Sequence, residues 1–297
     1  MSKSLILVTG ATGKTGSAVV RQLLDRRYPV RATVRKRDER ADKLGSLGAE
    51  VVVADFHDLR SMRDAMEGAG RVYFVYPPGD RLIEATTIAA IAAQDSGVRA
   101  FVNMSQISAR EYSDSPLARH HWLSEKILDW ANVGAIHIRP TFFAEMLHIL
   151  GAQTIATQGK LYLPYGDERH APVAASDIAL VVVGLLTDPE PHIGARYVLT
   201  GPENLTVAKM ASVLSEELGT TVEYVDLPVD VWGDIISGVD GMNEFLVTHL
   251  KAVAVDHQNG IFSAETDIVE RIGGQPPQSL PEFIRENIDA FGMASHA

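Results

Sequence analysis

The stretch Leu5-Ile6-Leu7-Val8-Thr9-Gly10-Ala11-Thr12-Gly13-Lys14-Thr15-Gly16 decides how this chain folds. An apolar run long enough for one strand ends in three glycines spaced three apart. Val19, Val20, Leu23 and Leu24 then recur at helical spacing. Strand, glycine turn and helix together form the cradle that holds the phosphates of a dinucleotide. Gly10 permits the tight turn, Gly13 lets a pyrophosphate approach the backbone, and Gly16 lets the helix pack on the strand. The amides around Thr12, Lys14 and Thr15 at the helix start then face the anion. The bland alternative is a glycine-rich turn with no ligand, and the α/β alternation that follows argues against it.

Outward from this motif, strands are predicted at 30–34, 50–54, 72–76, 100–104 and 135–139. Helices are predicted between them at about 14–26, 38–47, 59–68, 81–96 and 116–132. Val51-Val52-Val53 reads as a continuous buried run. The alternation predicts an α/β fold: a Rossmann-type, doubly wound parallel sheet with a smaller mixed α/β C-terminal portion covering the substrate. The expected division is a nucleotide-binding domain over 1–155 and a substrate portion over 156–297, some segments of which return to the sheet. In that portion, 141–157 reads as helix and 161–167 as loop. Further helices are expected near 176–187, 206–218, 229–237 and 241–256, and short strands at 196–199 and 221–226.

Bulk composition narrows the function classes. A net charge of −11 over 297 residues argues against a general nucleic-acid binder. With no cysteine there are no disulfides, thiolate metal sites or Cys nucleophile, which fits a cytoplasmic location. The ten histidines show no metal spacing, so no metal is expected. The first apolar run is too short for a signal segment, and the later run Ile178–Leu186 falls short of a membrane span. Gly-x-Ser-x-Gly is absent, and the glycine spacing fails the P-loop pattern.

The cofactor type is read at the end of the second strand. An NAD site normally places a carboxylate there for the ribose 2′-hydroxyl. Here Val34 is followed by Arg35-Lys36-Arg37. Arg35, seconded by Lys36, suits a 2′-phosphate and predicts NADP(H), while Arg37 reads as part of a solvated mixed-charge helix start. Asp55 is placed for the adenine edge and Phe56 for its ring, with a helix cap as the alternative for Asp55. Tyr76 and Pro77 end the fourth strand, near the second ribose.

With these features in hand, the chain resembles the NmrA-like branch of atypical short-chain dehydrogenases. The resemblance rests on Thr9–Gly16, Asp55, Asn103-Met104-Ser105, His121-Trp122-Leu123-Ser124-Glu125-Lys126 and Arg139-Pro140-Thr141-Phe142-Phe143. Ser176-Asp177-Ile178-Ala179 and Leu199-Thr200-Gly201-Pro202-Glu203 extend it. It implies an NADP(H)-binding Rossmann domain. The branch is similar to quinone and triarylmethane-dye reductases and also to redox-sensing regulators without turnover, so a sensor that binds a protein partner is the second reading.

Short-chain dehydrogenases usually reduce ketones with a Tyr-x-x-x-Lys pair. Lys126 is present, but Trp122 occupies the tyrosine slot, and an indole N–H is no acid near neutral pH. Ketone reduction without the acid would lose on the order of 10²–10⁴ in rate. A sugar-nucleotide epimerase, which normally relies on the same tyrosine, is disfavoured. A quinone, cationic dye or iminium ion already has an electrophilic centre and needs a flat apolar pocket more than a proton donor. The catalytic candidates are Lys126 for the cofactor's ribose or amide, Ser105 for a hydrogen bond to substrate or nicotinamide, and His121 for a proton. Their bland alternatives are an ion-paired surface lysine, a strand-end cap and a solvated histidine. Pro140, Phe142 and Phe143 are read as cofactor contacts. The two phenylalanines, with Met146, Tyr162 and Tyr165, are also candidate walls for an apolar or aromatic small molecule. A homodimer is left open.

Overall fold

The computed structural model describes residues 3–292. Its first half alternates β1 (Leu5–Val8), α1 (Lys14–Asp25), β2 (Val30–Val34), α2 (Glu39–Ser46), β3 (Glu50–Val53), α3 (Leu59–Met66), β4 (Ala69–Phe74), α4 (Leu82–Asp95), β5 (Ala100–Met104), α5 (Pro116–Ala131) and β6 (Ala135–Pro140). The chain continues through α6 (Met146–Gln158), β7 (Lys160–Leu163), β8 (Arg169–His170), α7 (Ala175–Thr187), β9 (Arg196–Leu199), β10 (Leu205–Thr206) and α8 (Val207–Leu218). It ends with β11 (Glu223–Asp226), α9 (Val229–Ser237), α10 (Glu244–Gln258), α11 (Ile268–Gly273) and α12 (Leu280–Glu286).

Seven strands form one sheet in the order β3-β2-β1-β4-β5-β6-β9, and each neighbouring pair is parallel. The strand order reverses between β1 and β4, which opens the ligand crevice at their carboxyl ends. On one face, α1 and α7 pack against Ile6, Val8, Val102 and Ile136. On the other, α3, α4 and α5 cover Leu7, Val72, Phe74 and Phe101. A second core joins Leu147, Leu161, Met210, Trp232 and Phe283 in the C-terminal lobe.

Local chemistry sets the element ends. Ser115 caps α5 by accepting from Ala118 N–H, Pro116 takes the first helical position, and Asn132 ends the helix at φ 52°. Asp38 caps α2.

Several expectations need correction. The fourth strand begins at Ala69 and ends at Phe74, before Tyr76. Val53 is exposed, because β3 is an edge strand paired only to β2. The helix after Pro140 begins only at Met146, since Phe143 first pairs with Val173. The expected loop 161–167 opens with β7, whose alternating Leu161 and Leu163 enter the core while the strand pairs with β11. Beyond residue 156, α7 and β9 return to the sheet layers, so the two cores interleave along the chain. Among the described residues no helix is long and apolar enough to cross a membrane.

Candidate functional site

The cradle follows from three glycines with three different constraints. Gly10 sits at φ +55°, and a Cβ there would meet Val75 Cγ1 at 2.7 Å. A Cβ on Gly16 would collide with the Gly10 carbonyl. Gly13 has an ordinary φ of −80° and is exposed, so its bare backbone opens the loop outward. No side chain caps α1, which leaves its first-turn N–H groups for a ligand. The Thr9 hydroxyl donates to Val75 O at 3.1 Å and accepts from Val75 N at 2.8 Å, tying the turn to β4. Thr12 is half-buried beside this turn. The Thr15 side chain turns inward, where its hydroxyl shares a 3.0 Å hydrogen bond with Tyr73, so only its backbone serves the cradle. Lys14 Nζ lies 3.2 Å from His148 Nε2 on α6, which brings the second lobe over the cradle. Burial, with Lys14 beside it, lowers the His148 pKa, so its ring accepts as a neutral imidazole.

At the end of β2 the basic run divides. Arg37 donates to Val51 O at 2.9 Å and serves the fold. Arg35 and Lys36 are exposed and have no hydrogen-bond or ion-pair partner among the described residues. Beside them, α3 is capped by Asp58, which accepts from Ser61 N–H. Asp55 therefore keeps an exposed carboxylate, bonded only to local chain through His57 N–H at 2.9 Å and flanked by the His57 ring. Phe56 meets Tyr76 edge-on at 5.4 Å, and the Tyr76 hydroxyl lies 3.1 Å from His57 Nε2. Asp55, Phe56 and Tyr76 thus form one wall, and Pro77 is exposed next to it.

At the β5 end, Ser105 is buried and donates to Glu125 Oε1 at 2.6 Å. Arg139 grips Glu125 with two bonds of 2.8 and 2.6 Å, and Arg196 adds a third at 3.0 Å. Burial pushes the Glu125 pKa up, but the hydrogen bonds from Arg139 and Ser105 outweigh it and hold the carboxyl below its usual range. One residue on, Lys126 has no carboxylate within ion-pair reach among the described residues, and its Nζ lies 5.6 Å from the Trp122 ring. Burial, with His249 beside it, pushes His121 down to about 3. Held neutral near pH 7, the His121 ring is a poor general acid. Ser115 Oγ, already accepting from Ala118 N–H, shares a 2.7 Å hydrogen bond with His249 Nδ1. Arg110 grips Asp256 at 2.6 and 2.9 Å, so α10 is fastened to the loop before α5.

Against this geometry the comparisons are informative. The NmrA-like family matches residues 2–271. The chain belongs to this family. This NmrA-like chain is 30% identical over 292 residues to the NAD(P)H azoreductase of Xenophilus azovorans, covering 98% of itself and 100% of that protein. It is 29% identical to the (4-alkanoyl-5-oxo-2,5-dihydrofuran-3-yl)methyl phosphate reductase of Streptomyces griseus, over 97% of itself and 99% of that protein. Its fold matches the NADPH complex of the Escherichia coli quinone oxidoreductase QOR2 with a TM-score of 0.83 at 24% identity, over 95% and 99% of the two chains.

The aromatic residues read from sequence do not converge on one pocket in this NmrA-like protein. Phe142 is buried in the second core, edge-on to Tyr165 and His257. Phe143 packs on the sheet core instead, because the chain crosses between lobes after Pro140, itself buried. Tyr165 is stacked on His257 at 3.8 Å. The Tyr162 hydroxyl donates to Gln158, and Met146 packs on the second core. Sequence reading gave no role to Glu125, Arg139, Arg196 or His249. Arg139 and Arg196 were signalled by charge inside otherwise apolar strands, and Glu125 by its place beside Lys126 in the α5 motif.

Proposed function

We propose that this chain is an NADPH-dependent reductase that delivers hydride to an electrophilic small molecule. NADPH bound in the cradle supplies the hydride. The chain's own residues hold the pyrophosphate at the bare amides of α1, the 2′-phosphate at Arg35 with Lys36, and the nicotinamide-side ribose at Lys126. The adenine lies against Asp55 and Phe56, and Tyr76 and Pro77 continue that wall toward the second ribose.

The observation that carries the reading lies on α5. Lys126 is free, yet Trp122 stands where an acid would be needed. The Ser105 proton is spent on Glu125, and His121 is neutral. With none of Trp122, Ser105 and His121 offering an acid, the favoured acceptors are those that need none in the hydride step: a quinone, a cationic dye or an iminium ion. The azo bond joins this set because the relative from Xenophilus azovorans is named for it. The cationic dye and the iminium ion become neutral on taking the hydride and need no proton, while the anions formed from a quinone or an azo bond take theirs from water.

The test is to mix protein, NADPH and a panel of these four acceptors and follow the absorbance of the reduced nicotinamide. Loss above the protein-free rate is expected with at least one acceptor and not with simple ketones. Tight NADPH binding with no turnover on any acceptor would overturn the reductase reading.

A further inference from the structure

We propose that Glu125 is a positioning residue: through it, α5 is locked to the sheet so that Lys126 faces the cofactor. This rests on the reading that Lys126 touches the cofactor.

Glu125 has no exposed surface. Its two oxygens accept from Ser105 at the end of β5, Arg139 on β6 and Arg196 on β9, four bonds in all. Three strands therefore fix the rotation and height of one helical residue. Arg196 also pairs with Asp129 one turn along α5, and Asp129 Oδ1 lies 3.0 Å from His137 Nε2 on β6. Burial lowers the His137 pKa, so that ring is neutral and the charges match: Glu125 and Asp129 against Arg139 and Arg196.

Two consequences follow for the site. A carboxylate only accepts, so the Ser105 hydrogen points at Glu125 and is withheld from any ligand. Lys126 is turned about 100° around the helix from Glu125, and the neighbouring carboxylates are already occupied by arginines. Its ammonium is left over, lying along Trp122. Had Asp129, three residues on, been free, it would compete for it.

The test is a double-mutant cycle read by NADPH titration of tryptophan fluorescence, with thermal midpoints measured alongside. Lys126→Ala is expected to weaken NADPH binding by about tenfold or more, as for a lost charged hydrogen bond. Glu125→Gln is expected to weaken it by about fivefold in the wild-type background and by less than about twofold once Lys126 is gone. Equal weakening by Glu125→Gln in both backgrounds would mark a purely structural role and overturn the inference. If Lys126→Ala binds NADPH as the wild type does, the cofactor role of Lys126 fails first and the inference with it. Should Glu125→Gln not fold, Glu125→Asp keeps the charge but shortens the reach. It is expected to weaken binding only while Lys126 is present, and unchanged binding would overturn the inference.

Discussion

Two polar regions of this molecule, each built on a buried titratable group, handle charge in opposite ways. Between α5 and the sheet, Glu125, Asp129, Arg139 and Arg196 keep their charges and cancel them in pairs. In the second lobe, His257 is sandwiched between Tyr165 at 3.8 Å and Phe262 at 3.6 Å, with His170 at 4.6 Å. There burial pushes His170 down to about 4 and His257 well below its ordinary range, so both rings pack as neutral aromatics. Ionic pairing fixes direction, because each bond has a donor and an acceptor in set positions. Neutral ring packing fills volume and fixes shape. The first region lies behind the proposed chemistry, and the second lies in the core of the C-terminal lobe.

The largest expected effect belongs to the aromatic region. Phe142→Ala is expected to cost about 3–5 kcal/mol of stability, measured by denaturant unfolding, while NADPH affinity at saturating folded protein stays close to wild type. A large loss of affinity with normal stability would return Phe142 to the cofactor site and erase the contrast.

Acid separates the regions next. The unfolded chain's histidines take up protons as pH falls through 6.5, but folded His170 does so only near 4. Its contribution to stability is therefore complete above pH 6.5 and is lost as pH falls toward 4, by about 3 kcal/mol. Glu125, held below its ordinary range despite its burial, keeps its charge to lower pH than an ordinary glutamate. His170→Phe should flatten the stability profile there, and an unchanged slope would assign the acid sensitivity elsewhere.

The basic run after β2 offers a sharper and smaller contrast, between a cation used by the fold and one left for a ligand. Arg35→Ala is expected to weaken NADPH binding by about 1.5–3 kcal/mol and NADH binding hardly at all. Arg37→Ala should cost about 1 kcal/mol of stability through its bond to Val51 and leave the NADPH-to-NADH ratio unchanged. Equal losses for both cofactors in the Arg35 variant would remove the 2′-phosphate argument.

What could be read from sequence divides along similar lines. The cradle was legible because its residues are contiguous and each glycine answers a local steric demand. The place of Arg35 and Lys36 as exposed cations after β2 was legible because a strand end followed by cations needs no tertiary knowledge. Glu125 stood in a recognisable motif, but its partners sit at positions 105, 139 and 196 and meet only when β5, β6 and β9 align. Phe142 and Tyr165 were misread because an aromatic beside a strand end looks the same whether it lines a cleft or fills a core. A strand at 196–199 and a return of some C-terminal segments to the sheet were read, but which strand β9 would join was not, because Arg196-Tyr197-Val198-Leu199 is too short to announce its neighbour β6.

Transfer of label from the cofactor tests the central claim most directly. With NADPH deuterated at the transferring position of nicotinamide C4 and a cationic dye or iminium acceptor in ordinary water, the product is predicted to carry deuterium on carbon. Product formed with solvent hydrogen at that carbon, or no reduction of any acceptor by the NADPH-bound protein, would contradict the account.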